Sequence, residues 1–136
     1  MKLGSRIILF VLLPLFTGGL IYIFCRPQTI RFKTWFGEST ADASVIRELL
    51  KNLPDWMVYN LPAGLWLFAF LHGLQLLRSP FWFYVLAVLF AIGAEVMQAT
   101  HFTSGTFDFQ DLLAYLLAMV VFIGQQQIQV VKTVAA

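Results

Sequence analysis

The chain is built from long apolar runs separated by short polar connections, and the lengths of these runs predict its architecture. A helix needs roughly 20 apolar residues to cross a hydrocarbon core of about 30 Å. Four runs come close to this length, at about residues 7–25, 56–77, 80–102 and 109–131. The pattern therefore predicts one all-α transmembrane domain over residues 1–136, with four helices in an antiparallel bundle.

The first and last runs are the least typical of the four. The first follows Lys2 and Arg6 as a signal peptide would, but its length and the absence of a small-x-small cleavage site favour a retained span. The fourth is apolar from Leu112 to Gly124 and reaches residue 131 only by including three glutamines. In the second run, Asn60 and His72 are the polar exceptions.

Apolar residues recur at helical spacing between the first and second runs. They predict an amphipathic helix at about residues 42–53 that lies on the membrane surface and ends at Pro54. The alternative is a soluble loop with one packed helix. The apolar positions are Val45, Ile46, Leu49, Leu50 and Leu53, and the polar positions are Arg47, Glu48, Lys51 and Asn52.

The composition agrees with a membrane protein and excludes some partners. Of the 136 residues, 60% are hydrophobic and 12% are charged, and the mean hydropathy is +0.79. These values lie far outside those of a soluble domain. The net charge of +2 is small and the basic residues are scattered, so we expect no nucleic-acid partner.

The basic residues give little information on orientation. In the predicted topology they divide almost evenly between the two sides, so the positive-inside rule does not decide. We take a multi-pass plasma-membrane protein with both termini in the cytoplasm, which places residues 30–50 and the turn 102–108 together on the outer face. One side carries Lys2, Arg6, Arg78 and Lys132, and the other carries Arg26, Arg31, Lys33, Arg47 and Lys51.

Glu95 is the acidic residue inside the third apolar run. A charged side chain at the centre of a membrane helix costs roughly 2.5–3.5 kcal/mol on insertion scales, so such residues face a bundle interior or a wet cavity. Gln98 lies three residues later and shares its helix face, which Ala91 and Phe102 extend. We therefore predict that this face points into the bundle and that Glu95 meets polar partners there.

Polar residues cluster at the end of the hairpin formed by the third and fourth runs. The opposite hairpin end offers only Arg78. Two simpler interpretations remain open: Glu95 and Gln98 only bond to neighbouring helices, and the two aspartates only cap the fourth helix. The predicted ligand-binding residues are Glu95, Gln98, His101, Asp108 and Asp111.

The cluster offers little for catalysis or metal binding. Carboxylates and an imidazole are metal ligands, but no His-x-x-x-His or Glu-x-x-His spacing is present. Ser104 has neither a nucleophile elbow nor an oxyanion loop around it. We predict no metal, no cofactor and no catalytic residue.

The last two runs carry a family resemblance. Glu95-Val-Met-Gln98, followed by Gly105-Thr-Phe-Asp108-Phe-Gln-Asp111-Leu-Leu-Ala-Tyr115, resembles the VanZ-like membrane proteins. Their signature reads Glu-x-x-Gln, a short turn with Arg, Asp, and then Asn followed by Gly. Glu95, Gln98 and Asp111 match it. The family's Arg falls on Gly105, its Asn on Tyr115 and its Gly near Ala118, so this chain resembles a divergent member.

The resemblance implies a small plasma-membrane protein that acts at the cell envelope, with no established reaction. Our first hypothesis is that it binds a lipid-linked or amphiphilic envelope molecule in a shallow polar pocket, which the amphipathic helix covers. The second is an assembly subunit that packs against another membrane protein through small residues. The third is a lipid-headgroup enzyme that uses Arg47 or Lys51. The small residues are Gly64, Gly73, Gly93, Ala114 and Ala118.

Overall fold

A computed structural model describes residues 2–25, 53–102 and 107–134. Within these ranges the regular secondary structure is entirely helical. The first helix, α1, covers residues 3–25; it is α-helical over Leu3–Ile7 and Leu13–Cys25 and π-helical over Ile8–Leu12. The others are α2 (Asp55–Tyr59), α3 (Leu61–Leu76), α4 (Phe81–Ala99) and α5 (Phe109–Val134).

Three helices are long and apolar enough to cross a membrane: Leu3–Ile23, Phe81–Ala99 and Phe109–Ile128. The described residues confirm the predicted all-helical fold, and the three long helices, which coincide with three of the predicted runs, are consistent with a membrane protein. The second run yields a shorter apolar helix, Leu61–Leu76. The predicted amphipathic helix at about residues 42–53 lies, except for Leu53, outside the described residues.

Asn60 separates α2 from α3 because a proline follows it closely. Pro62 lies in the first turn of α3; it has no N–H, and its ring conflicts with the carbonyl four residues earlier, so the preceding helix cannot continue through it undisturbed. Asn60 has φ −111° and ψ −35°, and its side chain is buried. The break before Pro62 therefore places the side-chain amide of Asn60 inside the bundle.

Pro14 has a related effect on α1. It cannot donate a hydrogen bond to the carbonyl of Phe10, and the preceding turn, Ile8–Leu12, is π-helical. Such wide turns adjust a membrane helix locally around a proline. Phe10 lies within this turn and stacks on His72 of α3, with ring centroids 4.8 Å apart.

Helix α3 lies at the centre of the bundle. It packs most extensively against α5 and α1, and less against α4. Small residues allow the close approach, since a Cβ at Gly64 would lie 2.9 Å from the carbonyl oxygen of Ala114 on α5. A Cβ at Gly18 on α1 would lie 2.9 Å from Nε1 of Trp66. These contacts are typical of helix packing in membranes.

Helix α4 has little buried surface. Its buried residues are Ala87 and Glu95, whereas Phe90 is 81% exposed. Such an apolar surface is suited to contact with lipid. A groove, called here the α3–α4 groove, lies between α3 and α4. The core beside it contains Leu67, Leu71, Leu74 and Ala87, with Tyr84, Ala91, Tyr115, Met119 and Phe122 packed against them.

Helices α3 and α4 end in the same way, by reversing at a residue with positive φ. Arg78 has φ 54° and His101 has φ 57°. The next amides, of Ser79 and Phe102, donate to the carbonyls of Leu74 and Met97, which is the Schellman arrangement. The connection between α3 and α4 is therefore a tight one. However, α4 ends at Ala99 rather than near residue 102.

Candidate functional site

Glu95 is buried on the inner face of α4, as its position in the sequence predicts. Its side chain is 3% exposed. Oε1 accepts a long hydrogen bond of 3.5 Å from the Tyr115 hydroxyl on α5, and Oε2 is buried with no hydrogen-bond partner among the described residues. A buried polar atom without a partner is costly. The carboxyl group therefore has capacity for a further donor.

Asn60 connects the start of α3 to the start of α5. Its amide Nδ2 donates to Asp108 Oδ2 at 2.9 Å and to Asp111 Oδ1 at 3.0 Å. The bonded residues lie 48 and 51 positions apart in the chain. This bridge holds the two aspartates at the same end of the bundle as Glu95.

Asp108 caps α5. Its Oδ1 accepts a hydrogen bond of 2.8 Å from the backbone amide of Gln110, which is a capping interaction. Asp111 lies in the first helical turn and accepts from Asn60. The bonds from Asn60 and Gln110 lower the pKa of Asp108 below its ordinary value. Asp108 is therefore ionised at neutral pH.

These groups form the polar end of the α3–α4 groove. The groove has a volume of about 1590 Å³, larger than most small-molecule sites. Its remaining walls are mostly apolar and aromatic. They include Trp66 and Phe70 from α3 and Phe83 and Phe90 from α4. One cavity thus combines a carboxylate-rich end with a long apolar wall.

The structure brings together most, but not all, of the predicted site. Glu95, Gln98, Asp108 and Asp111 all line the groove. His101 is exposed and is not among the lining residues, because the chain reverses there after α4 has ended. Phe102, predicted to extend the inner face, is also exposed for the same reason. The expected contribution of residues 103–106 lies outside the described residues.

Asn60 and Tyr115 are site residues that the sequence argument missed. A signal for Asn60 was present, since it is a polar residue in an apolar run directly before Leu61-Pro62. Tyr115 falls where the family signature has Asn, but its spacing gives no indication that the hydroxyl reaches Glu95. Both roles depend on helix packing.

A second buried polar group lies away from the groove. His72 is 1% exposed and contacts the rings of Phe10, Phe68 and Phe122 at centroid distances of 4.8, 4.5 and 4.9 Å. Its Nε2 has no hydrogen-bond partner within the part of the chain that the structure describes. Nearby, Gln75 on α3 donates to Gln126 on α5. The contacts of His72 and Gln75 therefore connect α3 to α5 away from the groove.

In the ranges 2–25, 53–102 and 107–134, no group of three or more His, Cys, Asp and Glu side chains is placed to hold a metal ion. The aspartate oxygens facing Asn60 already accept hydrogen bonds. The described site is thus a hydrogen-bonding site at the end of an apolar groove.

No protein-family model, no curated protein and no solved structure matches this chain. Membership of the VanZ-like family stays a prediction, and the site has to be interpreted from its own geometry.

Proposed function

We propose that this protein is a four-span, VanZ-like plasma-membrane protein that binds a lipid-linked or amphiphilic envelope molecule in the α3–α4 groove. The observation that carries the proposal is the groove itself, in which a buried carboxyl group with an unpartnered oxygen closes one end of an apolar wall. An amphiphile has the matching division into a polar head and an apolar chain.

The groove extends along most of α4, which is long enough for an extended acyl chain. Phe83 and Glu95 line it on α4 and are twelve residues apart, which corresponds to roughly 18 Å along a helix. Half of a hydrocarbon core is roughly 15 Å. Because Phe83 lies two residues from the other end of α4, a chain lying beside α4 from Glu95 to Phe83 would pass the midplane and approach the opposite end of the helix.

The position of Glu95 suits a headgroup. It lies four residues before the last residue of α4, roughly 6 Å along the helix axis. The predicted helix end at residue 102 would have placed it roughly 10 Å deep. Glu95 is thus nearer to the membrane interface than the sequence indicated, where the polar part of an amphiphile resides.

Helices α2 and α3 together form the remaining proposed span, which is the second along the chain. Residues 55–76 are helical except at Asn60, and 22 residues are sufficient to cross the membrane with a bend. An antiparallel bundle then follows from the tight connection between α3 and α4, and both termini lie on the same side, which we take as the cytoplasm.

The assembly-subunit hypothesis has less support. Gly64 and Ala114, two of the small residues it requires, contact one another inside the bundle, and Ala118 is buried. The headgroup-enzyme hypothesis needs Arg47 or Lys51, which lie outside the described residues. The amphiphile-binding function therefore uses the observed site most directly.

Trp66 lines the groove and Trp82 does not, which allows a direct test by fluorescence quenching. The protein is purified in mild detergent as two variants, one retaining only Trp66 and the other only Trp82. Each is titrated with amphiphiles that have a dibrominated stearyl or stearoyl chain and a glycerol, phosphate or amine headgroup. We expect saturable quenching of Trp66 by at least one of them, while Trp82 shows only the gradual quenching of micelle partitioning.

Equal, non-saturating quenching of both tryptophans by every amphiphile would contradict the proposal. Native mass spectrometry of the unsubstituted protein gives an independent measure, since a bound amphiphile adds a defined mass at one-to-one stoichiometry.

A further inference from the structure

The polar end of the α3–α4 groove has more hydrogen-bond acceptors than donors. Three carboxylates line it: Glu95, Asp108 and Asp111. Carboxylates, when ionised, only accept. The Asn60 amide directs its donors to the aspartates, and the hydroxyl of Tyr115 donates to Glu95. The donors of Asn60 and Tyr115 are therefore engaged, and the side-chain amide of Gln98 is a further donor in the lining.

The excess of hydrogen-bond acceptors is clearest at Glu95. Its Oε2 is buried and unpartnered in the described part of the chain, and Glu95 lines the groove. Leaving such an atom without a donor is costly, whereas a hydrogen bond from a cation to a carboxylate is among the strong ones. A cationic headgroup in the groove would supply that donor.

The charges of the side chains that line the groove also favour a cationic ligand. No Lys, Arg or His is found among the described residues that line the groove. Among these described residues a phosphate group would meet three acidic side chains and no basic one, an arrangement that disfavours an anion. An ammonium group would instead be attracted to the acidic side chains.

We infer that the α3–α4 groove selects amphiphiles whose headgroup is a protonated amine, with the ammonium group donating to Oε2 of Glu95. This inference rests on the proposed function and adds the chemical class of the ligand. The same ammonium group is offered by a simple long-chain amine and by the amine of a zwitterionic phospholipid, so both are included in the test.

The test compares affinities in the Trp66-only variant. Four brominated probes are titrated: dibromostearylamine, dibromostearoyl glycerol, dibromostearyl phosphate and dibromostearoyl phosphatidylethanolamine. We expect the amine to bind about tenfold more tightly than the glycerol compound, which is the size of effect that one charged hydrogen bond gives. The phosphate should bind most weakly. The rank of the phosphatidylethanolamine distinguishes a free amine from a zwitterionic source.

Glu95→Gln is the decisive variant, since it keeps the shape of the side chain and removes its charge. It should bring amine affinity down to about that of glycerol. Asp55→Asn is the matched control, because Asp55 is exposed and outside the groove lining; it should retain the tenfold preference. If Glu95→Gln does not fold, Asp111→Asn is used and should reduce the preference.

The outcomes separate the two proposals. Equal binding of amine and glycerol to the unsubstituted site, tighter binding of phosphate, or a preference that survives the substitution at the site would overturn the amine inference while leaving amphiphile binding intact. Absence of saturable binding by every probe would overturn the proposed function itself.

Discussion

Asp108 shows how a single residue at the end of a helix connects stability to pH. It caps α5 and accepts a hydrogen bond from the Asn60 amide, and both bonds favour its ionised form. Its folded-state pKa is therefore below the ordinary value of 3.8. A group of this kind contributes stability above its unfolded pKa and loses it as the pH falls through its folded pKa.

We therefore expect the contribution of Asp108 to be constant from neutral pH to about pH 5 and to disappear progressively below about pH 4. Asp108→Asn should lower the unfolding midpoint at pH 7 and should flatten the acid dependence. Unfolding midpoints in detergent, measured from pH 7 to pH 3, give the comparison. An unchanged acid slope in the variant would show that Asp108 contributes no linked stability.

His72 allows a second test at the residue scale. Its ring contacts three phenylalanine rings, and its Nε2 lacks a partner in the described ranges. Phenylalanine would keep the aromatic packing and remove the unpartnered nitrogen, so His72→Phe should maintain or raise stability. His72→Ala should lower the free energy of unfolding by about 3 kcal/mol because it leaves a cavity among the rings.

Unfolding by sodium dodecyl sulfate in mixed micelles measures both His72 variants. Similar losses from the two substitutions would show that hydrogen bonds of the imidazole, and not its packing, stabilise the contact between α3 and α5.

At the scale of elements, the close contact of α3 with α5 depends on Gly64, which has no side chain. A Cβ at Gly64 would lie 2.9 Å from the carbonyl oxygen of Ala114, a backbone atom that moves only with its helix. We expect Gly64→Ala to destabilise the bundle by about 1–3 kcal/mol, as overpacking does.

Gly73 on the same helix is the matched control, since a Cβ there meets nothing within 4 Å. Gly73→Ala should be neutral or stabilise α3 by up to about 1 kcal/mol through helix propensity. The same mixed-micelle titration compares them. Equal effects at the two positions would mean that α3 and α5 do not approach closely in the membrane.

At the scale of the whole molecule, the proposed topology places the two ends of α4 on opposite sides of the membrane. Cys25→Ser removes the single native thiol. Leu77→Cys and Phe107→Cys then introduce thiols at exposed positions before and after α4. In intact cells, a membrane-impermeant maleimide should label residue 107 from outside and residue 77 only after lysis. Labelling of both from one side would contradict the span.

The sequence alone predicted the membrane class, the helical fold and the inward direction of Glu95. These features depend on local properties: the lengths of apolar runs, the 3.6-residue period and the cost of a charge in lipid. The cap at Asp108 is also local, since it links residues two positions apart. Such features can be read from neighbouring residues without knowing how the helices pack.

Only the tertiary structure decided which side chains form the site. The bridge from Asn60 to two aspartates about fifty residues away, and the contact of Tyr115 with Glu95, depend on how closely α3, α4 and α5 approach. The end of α4 at Ala99 likewise excludes His101 from the groove through a positive-φ reversal that residue type did not reveal. Helix contacts are set by packing over the whole bundle, and the spacing of residues along one helix does not encode them.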